Sequence, residues 1–175
     1  MRADLSVVGP QFTRERRVAA SATRYEAGEL LIFSSLTYST GIASANTCTL
    51  AAADAVVLGT DYLAGVPIKG ASPFKTGTLV AHKTTCACPI PNAGIIRGKA
   101  ETAASVDTDA ELLLLINDLS LIDYAATGGS DGGELYTIKE AAAADTHSFT
   151  IVGGNPARAT LDVVCHPNIY RTDVS

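Results

Sequence analysis

The chain has 175 residues, 47% of them hydrophobic, with 6% aromatics, no tryptophan and a formal net charge of −5. That length can bury a core without metals or disulfides. The acidic balance and the shortage of stacking rings argue against a nucleic-acid binder, and the most apolar run, Leu112–Ile116, is too short to span a membrane.

The chain opens on a block that breaks the overall pattern. Residues 1–24 hold Arg2, Arg14, Arg16, Arg17 and Arg24 against Asp4 and Glu15, a net +3 that leaves −8 for the remainder. Pro10 interrupts any helix there, and Val7, Val8 and Phe12 are the apolar anchors. No continuous apolar stretch marks a secretory leader. The charge asymmetry reads as an extended basic N-terminal arm that lies on an acidic surface. The plainer reading is a solvated, loose terminus.

A body follows from Tyr25. Glu29–Phe33, Ala55–Leu58, Gly65–Lys69, Thr78–Lys83 and Ile95–Glu101 read as short strands, divided by turn chemistry at Ala71–Gly77 and at Pro89, Pro91, Asn92 and Gly94. Pro67 places the third at a sheet edge, because it cannot donate to a ladder. Asp109–Asn117 is the one helix candidate, with Thr108 or Asp109 as its cap and acids in its first turn. Leu119–Tyr124, Leu135–Lys139, Ser148–Val152 and Ala159–Cys165 are further strands. Gly128–Gly133 reads as a flexible loop and Gly153–Pro156 as a tight connection. The pattern predicts a mainly β fold, an antiparallel β-sandwich, jelly-roll or small β-barrel with an extended N-terminal arm. The body over 25–175 forms one lobe or two, 25–101 and 102–175.

The residues that carry chemistry are scattered. Cys86 and Cys88 would share a face of a strand, and a zinc site could add Cys165 and His166. The Cys-x-Cys spacing is tighter than the pairs structural zinc sites use, so the four cysteines, Cys48 included, read as small buried free thiols. Asp107, Asp109 and Glu111 alternate as calcium ligands can, but the EF-hand glycine and final glutamate are missing, and a helix N-terminus explains the acids. His82, His147 and His166 are isolated. Neither a nucleophile elbow nor a phosphate loop occurs. No cofactor or metal is expected, and an enzyme is the least favoured class.

Three stretches carry a family resemblance: Arg24-Tyr-Glu-Ala-Gly-Glu-Leu-Leu-Ile-Phe33, Ala52-Ala-Asp-Ala-Val-Val-Leu-Gly59 and Gly77-Thr-Leu-Val-Ala-His-Lys83. Over residues 24–100 the chain resembles the head decoration, or capsid cement, proteins of tailed bacteriophages. The ending Ala157–Cys165 through Tyr170–Ser175 has the same character. The resemblance implies a non-enzymatic structural virion protein on the capsid exterior, a homotrimer seated on the major capsid protein, with an N-terminal arm reaching the shell. The chain is longer than the small members, so residues 102–175 would be an added lobe. In that setting Arg14, Arg16, Arg17 and Arg24 would face carboxylates, while Val7, Val8 and Phe12 fill shallow apolar grooves. The alternative is a small-molecule or carbohydrate-binding β module of a virion or tail, using Tyr62, Tyr124 and Tyr136.

Overall fold

The computed structural model describes residues 5–19, 25, 27–33, 47–51, 62–70, 81–124, 136–140 and 148–167. The described elements are β1 (Leu5–Val8), β2 (Gln11–Val18), β3 (Leu31–Phe33), β4 (Thr49–Leu50), β5 (Tyr62–Pro67), β6 (His82–Pro89), β7 (Ile95–Ala100), α1 (Asp109–Leu115), β8 (Leu119–Tyr124), β9 (Tyr136–Lys139), β10 (Phe149–Asn155) and β11 (Thr160–Cys165). The fold is mainly β, and α1 is the single α-helix among the described residues. It starts where the sequence places it. Thr108 is the N-cap, its hydroxyl accepting from the Glu111 N–H at 3.2 Å while the Glu111 carboxylate accepts from the Thr108 N–H at 3.1 Å. This reciprocal capping box satisfies two donors the helix start would leave unpaired.

The second half of the chain closes into a barrel. Strands β7, β11, β10, β8 and β9 pair in that order, and β9 returns to β7. Closure is a short parallel contact, Lys99↔Thr137 and Ala100↔Ile138, whereas the other pairings are antiparallel. β1 covers the remaining length of the same β7 edge, Leu5↔Gly98 through Val8↔Ile95. Closing the ring leaves few unpaired edges. The interior is filled by Ile96, Ile122, Tyr136, Ile138, Phe149, Ile151, Leu161 and Val163, each at most 1% exposed. Gly153 and Gly154 belong to β10, past a bulge between Ile151 and Gly153, so the turn comes later than expected, at Pro156–Arg158 with Ala159 left-handed at φ 46°.

The other sheet runs β2-β6-β5-β3-β4. It curls until its ends meet, Val18 bridging Cys48 in parallel, with the Ala19 N–H donating to the Cys48 carbonyl at 3.0 Å and the Cys48 N–H to the Arg17 carbonyl at 2.8 Å. Neighbouring residues of β3 and β5 face opposite ways. Leu30, Ile32, Leu63 and Val66 join the barrel's core, while Leu31, Phe33, Ala64, Cys86, Cys88, Cys48, Val18 and Tyr25 form a second apolar cluster. β5 is an interior strand between β3 and β6, not the edge that Pro67 implied. Pro67 is tolerated because it is the last residue of the strand.

Two expectations about domain layout are corrected. The main core draws on Leu5, Leu30 and Leu63 as well as Ile122 and Leu161, and the barrel takes β7 from before residue 101 and β8–β11 from after it. The division into 25–101 and 102–175 therefore cuts through one core. The leading segment is not an arm over residues 5–19. β1 and β2 form one long antiparallel ribbon with β6 and β7, each strand of it passing from one sheet to the other at a bend. The bend lies at Gly9–Pro10 against Ile90–Gly94, where the Ile90 N–H donates to the Pro10 carbonyl at 3.1 Å. A Cβ on Gly94 would strike that Pro10 oxygen and lie 2.6 Å from the Ile90 nitrogen, so the two chains cross only because position 94 has no side chain. The physical reason for the correction is alternation. Leu5 and Val18 are buried, Val7, Phe12 and Arg16 half-buried, and the arginines interleave with these apolar positions as a half-exposed strand requires. Ala55–Leu58, Gly128–Gly133 and Arg24 lie outside the described residues.

Candidate functional site

The basic ribbon is the part of the described surface that matches the expected partner-binding residues, and the fold sorts them. Val8, Arg14 and Arg17 are exposed. Val7 packs against the main core and Phe12 against the second cluster, so neither is free to fill a groove on another molecule. Arg16 turns inward: its Nε donates to the Ala64 carbonyl at 2.8 Å and its guanidinium lies 5.3 Å from the Phe33 ring centre. It is a structural residue at the mouth of the second sheet. Arg14 lies over the Phe12 ring at 5.5 Å while remaining exposed.

The strip is positively charged by construction. Arg17 stands directly across from Lys83, a like-charge pair that opposes the sheet. Glu15, one pleat away on the same face, bridges to Lys83 at 2.6 Å. Both partners are more than half exposed, 59% and 62%, so this ion pair contributes only about 0–1 kcal/mol. Neither Arg14 nor Arg17 is in an ion pair among the described residues.

The backbone of β2 adds a second property. A strand residue sends its N–H and C=O to the same side, and successive residues alternate. The Arg17 carbonyl and Ala19 N–H both meet Cys48 on the side away from β6, and the Pro10 carbonyl meets Ile90 on the other. Gln11, Thr13 and Glu15 therefore direct their N–H and C=O groups away from β6. Among the described residues that edge is paired only at Arg17 and Ala19, through Cys48.

The cysteines are core residues. Cys48, Cys86 and Cys88 lie in the second cluster and Cys165 in the main one, each 0% exposed, so the cysteines of the zinc set considered and set aside above are split between two cores. Among the described residues no group of three or more such side chains is placed to hold a metal ion. Burial pushes the Cys48 thiol up to about 11 and Cys86 and Cys165 to about 12, and it raises Cys88 as well, against the opposing charges of Arg16 and Arg14. The thiols are thus held protonated in the fold and ionise from about 9.0 when it opens. An acid raised by folding holds more protons in the native state, so its stabilisation is lost as pH rises. Urea midpoints are expected to fall steadily above about pH 9. A thiol reagent at pH 8 should label the native protein slowly and the unfolded protein fully. Rapid native labelling would show an exposed thiolate.

The acids of residues 107–111 serve α1. Glu111 is held down by hydrogen bonding from Thr108, and Asp107, hydrogen-bonded to Glu111, is raised by it. An open groove of about 510 Å³ runs from Asp107 and Asp109 to Gly154–Ala157. A second acidic group lies where β7 meets β9. Glu101 is raised, first by burial and then by a hydrogen bond with Asp123, with Lys139 opposing. The Thr102 N–H donates to the Glu140 carboxylate at 2.6 Å nearby.

A pair that sequence reading missed is Tyr25 with His82. The Tyr25 hydroxyl is 2.7 Å from His82 Nε2, with ring centres 5.7 Å apart, at the wall of a cavity of about 340 Å³ that Lys69, Lys83 and Thr84 also line. The two are 57 positions apart, so no local motif announces them. The side chains of two of the three tyrosines weighed for a carbohydrate site are among the described residues. Tyr136 is buried in the barrel and donates to the Ala51 carbonyl at 2.7 Å, Tyr62 packs into the second cluster, and the side chain of Tyr124 lies outside the described residues. No helix among the described residues is long and apolar enough to cross a membrane.

No family model, curated protein or solved structure matches the chain.

Proposed function

We propose that this chain is a structural attachment protein of a tailed-phage virion, binding the outside of the capsid and stabilising the shell. The observation that carries the reading is the basic strip: Arg14 and Arg17 stand exposed on a rigid ribbon, while the rest of the sequence is acidic. The resemblance of residues 24–100 to decoration proteins supplies the setting, with the major capsid protein as partner. A rigid strand presents its charges without the ordering cost a loose arm would meet on binding. Each exposed ion pair contributes about 0.2–1 kcal/mol. A homotrimer would present three strips at once, and a symmetric lattice turns such contacts into firm coating through effective concentration.

The test is pelleting with undecorated capsids across a salt series. The double variant R14E/R17E is expected to fold normally, because both side chains are exposed, and to bind at least about tenfold more weakly. Wild-type binding should weaken as salt rises, since exposed charges are screened within about 10 Å at 0.1 M. Unchanged pelleting by the double variant would place attachment elsewhere on the molecule.

A further inference from the structure

We infer that the outer edge of β2 is a strand-addition site for an extended acidic segment of the partner. The inference rests on the attachment reading above and names the kind of partner that surface fits. Three observations converge on it. The N–H and C=O groups of Gln11, Thr13 and Glu15 point away from β6, and among the described residues nothing pairs with them. The strand is held straight by eight consecutive registers with β6, Gln11↔Pro89 through Val18↔His82, so the edge is preformed. Its exposed charges are Arg14 and Arg17 against Glu15, a net +1, with Lys83 alongside and bridged to Glu15.

Natural edges with charges on them resist pairing with their own kind. A second copy would bring together two strips that are each net positive. An acidic extended segment reverses that sign. Its backbone would complete the ladder at Gln11, Thr13 and Glu15, and carboxylates on its two faces would reach Arg17 on one side of the sheet and Arg14 on the other. Main-chain bonds then supply affinity, and the alternate side chains supply specificity. The parallel bridge of Cys48 to Val18 caps one end of the edge, so the added strand would run from Arg17 toward the bend at Gly9–Pro10.

The probe is a short synthetic peptide of paired glutamates spaced by valine and threonine, so that carboxylates fall on both faces of the added strand, measured by fluorescence anisotropy beside a glutamine version of the same peptide. The decisive variant is Thr13→Pro. It removes an outward N–H and leaves every β2–β6 bond intact, a position where an edge strand tolerates proline. The acidic peptide should bind wild type with an affinity that falls as salt rises, and T13P should weaken it roughly tenfold. Amide exchange on wild type guards against a folding defect in the variant: the Thr13 and Glu15 amides should become protected when the peptide binds. Equal binding by T13P with no new protection would overturn strand addition. If R14E/R17E then still lost capsid pelleting, attachment through side chains alone would stand. If T13P lost the peptide while its pelleting was unchanged, the capsid would attach without strand addition, and the proposal that the edge receives the capsid partner would be overturned while the attachment reading stood. Equal affinity for the glutamine peptide, or a concentration-dependent dimer that T13P dissolves, would assign the edge to another occupant and overturn the proposal.

Discussion

A chain that begins at Ala20 is expected not to fold. Removing residues 1–19 deletes β1 and β2, and with them the Leu5–Val8 pairing to β7 and the Gln11–Val18 pairing to β6. Leu5 and Val18 are 2% and 3% exposed, and each such side chain contributes about 1.5–3 kcal/mol when buried. The deletion also uncovers Cys86 and Cys88, opens β6 along eight residues and removes the Val18–Cys48 closure of the second sheet. Losses of that kind together exceed a small domain's net stability of about 5–15 kcal/mol. The expected result is loss of the cooperative urea transition, aggregation through the exposed edges and collapse of amide dispersion in NMR. A truncated chain that still unfolds cooperatively would show that the leading residues are an appendage after all. Point substitution gives the graded version. Leu5→Ala should cost about 2–5 kcal/mol.

The second large effect is expected at Gly65. Its φ is +128°, a backbone region that residues with a Cβ rarely occupy, and it lies in the middle of β5 between two other strands. An added Cβ would sit 2.7 Å from Cys86 Cβ and 2.9 Å from both the Ala87 oxygen and Cys88 Sγ. Backbone strain costs about 1–3 kcal/mol, and an extra carbon in a closed core costs a similar amount. Gly65→Ala should therefore lose about 4 kcal/mol in urea unfolding at constant m. Gly153→Ala is the internal control: nothing lies within 4 Å of its added carbon, and its φ is not positive. It should stay within about 0.5 kcal/mol of wild type. Equal stabilities for the two variants would mean β5 does not take this path.

The mainly β class was legible because apolar runs such as Ile95–Ala100, Leu119–Tyr124 and Thr160–Cys165 are short and divided by turn chemistry. The helix start was legible for a local reason, the Thr108–Glu111 spacing. β2 was not, because three arginines in Arg14–Arg17 read as a solvated charge run, and only the second sheet shows that Arg16 has an internal acceptor at Ala64. β6 was cut short in the reading because Thr84–Pro89 is small, Cys-rich and ends in proline, and its neighbours rather than its own propensity make it a strand. Barrel closure through Lys99↔Thr137 joins distant positions and leaves no periodic trace. At the site, exposure separated Arg14, Arg17 and Val8 from Val7, Phe12 and Arg16. Alternation along β2 orients Phe12 and Val18 inward, but it places Arg14 and Arg16 on that same face and does not tell which of the two is exposed.

The bent ribbon also sets the order of events as the polypeptide is made. Leu5 pairs with Gly98 and Val18 with His82, so β1 and β2, once synthesised, wait for strands that follow some 60 to 90 residues later. Contacts this distant are slow to close, because loop entropy must be overcome before they stabilise anything. Until β6 and β7 arrive, neither sheet can be completed, and the nascent chain carries its basic strand unpaired. Like charge on that strand works against pairing between waiting chains.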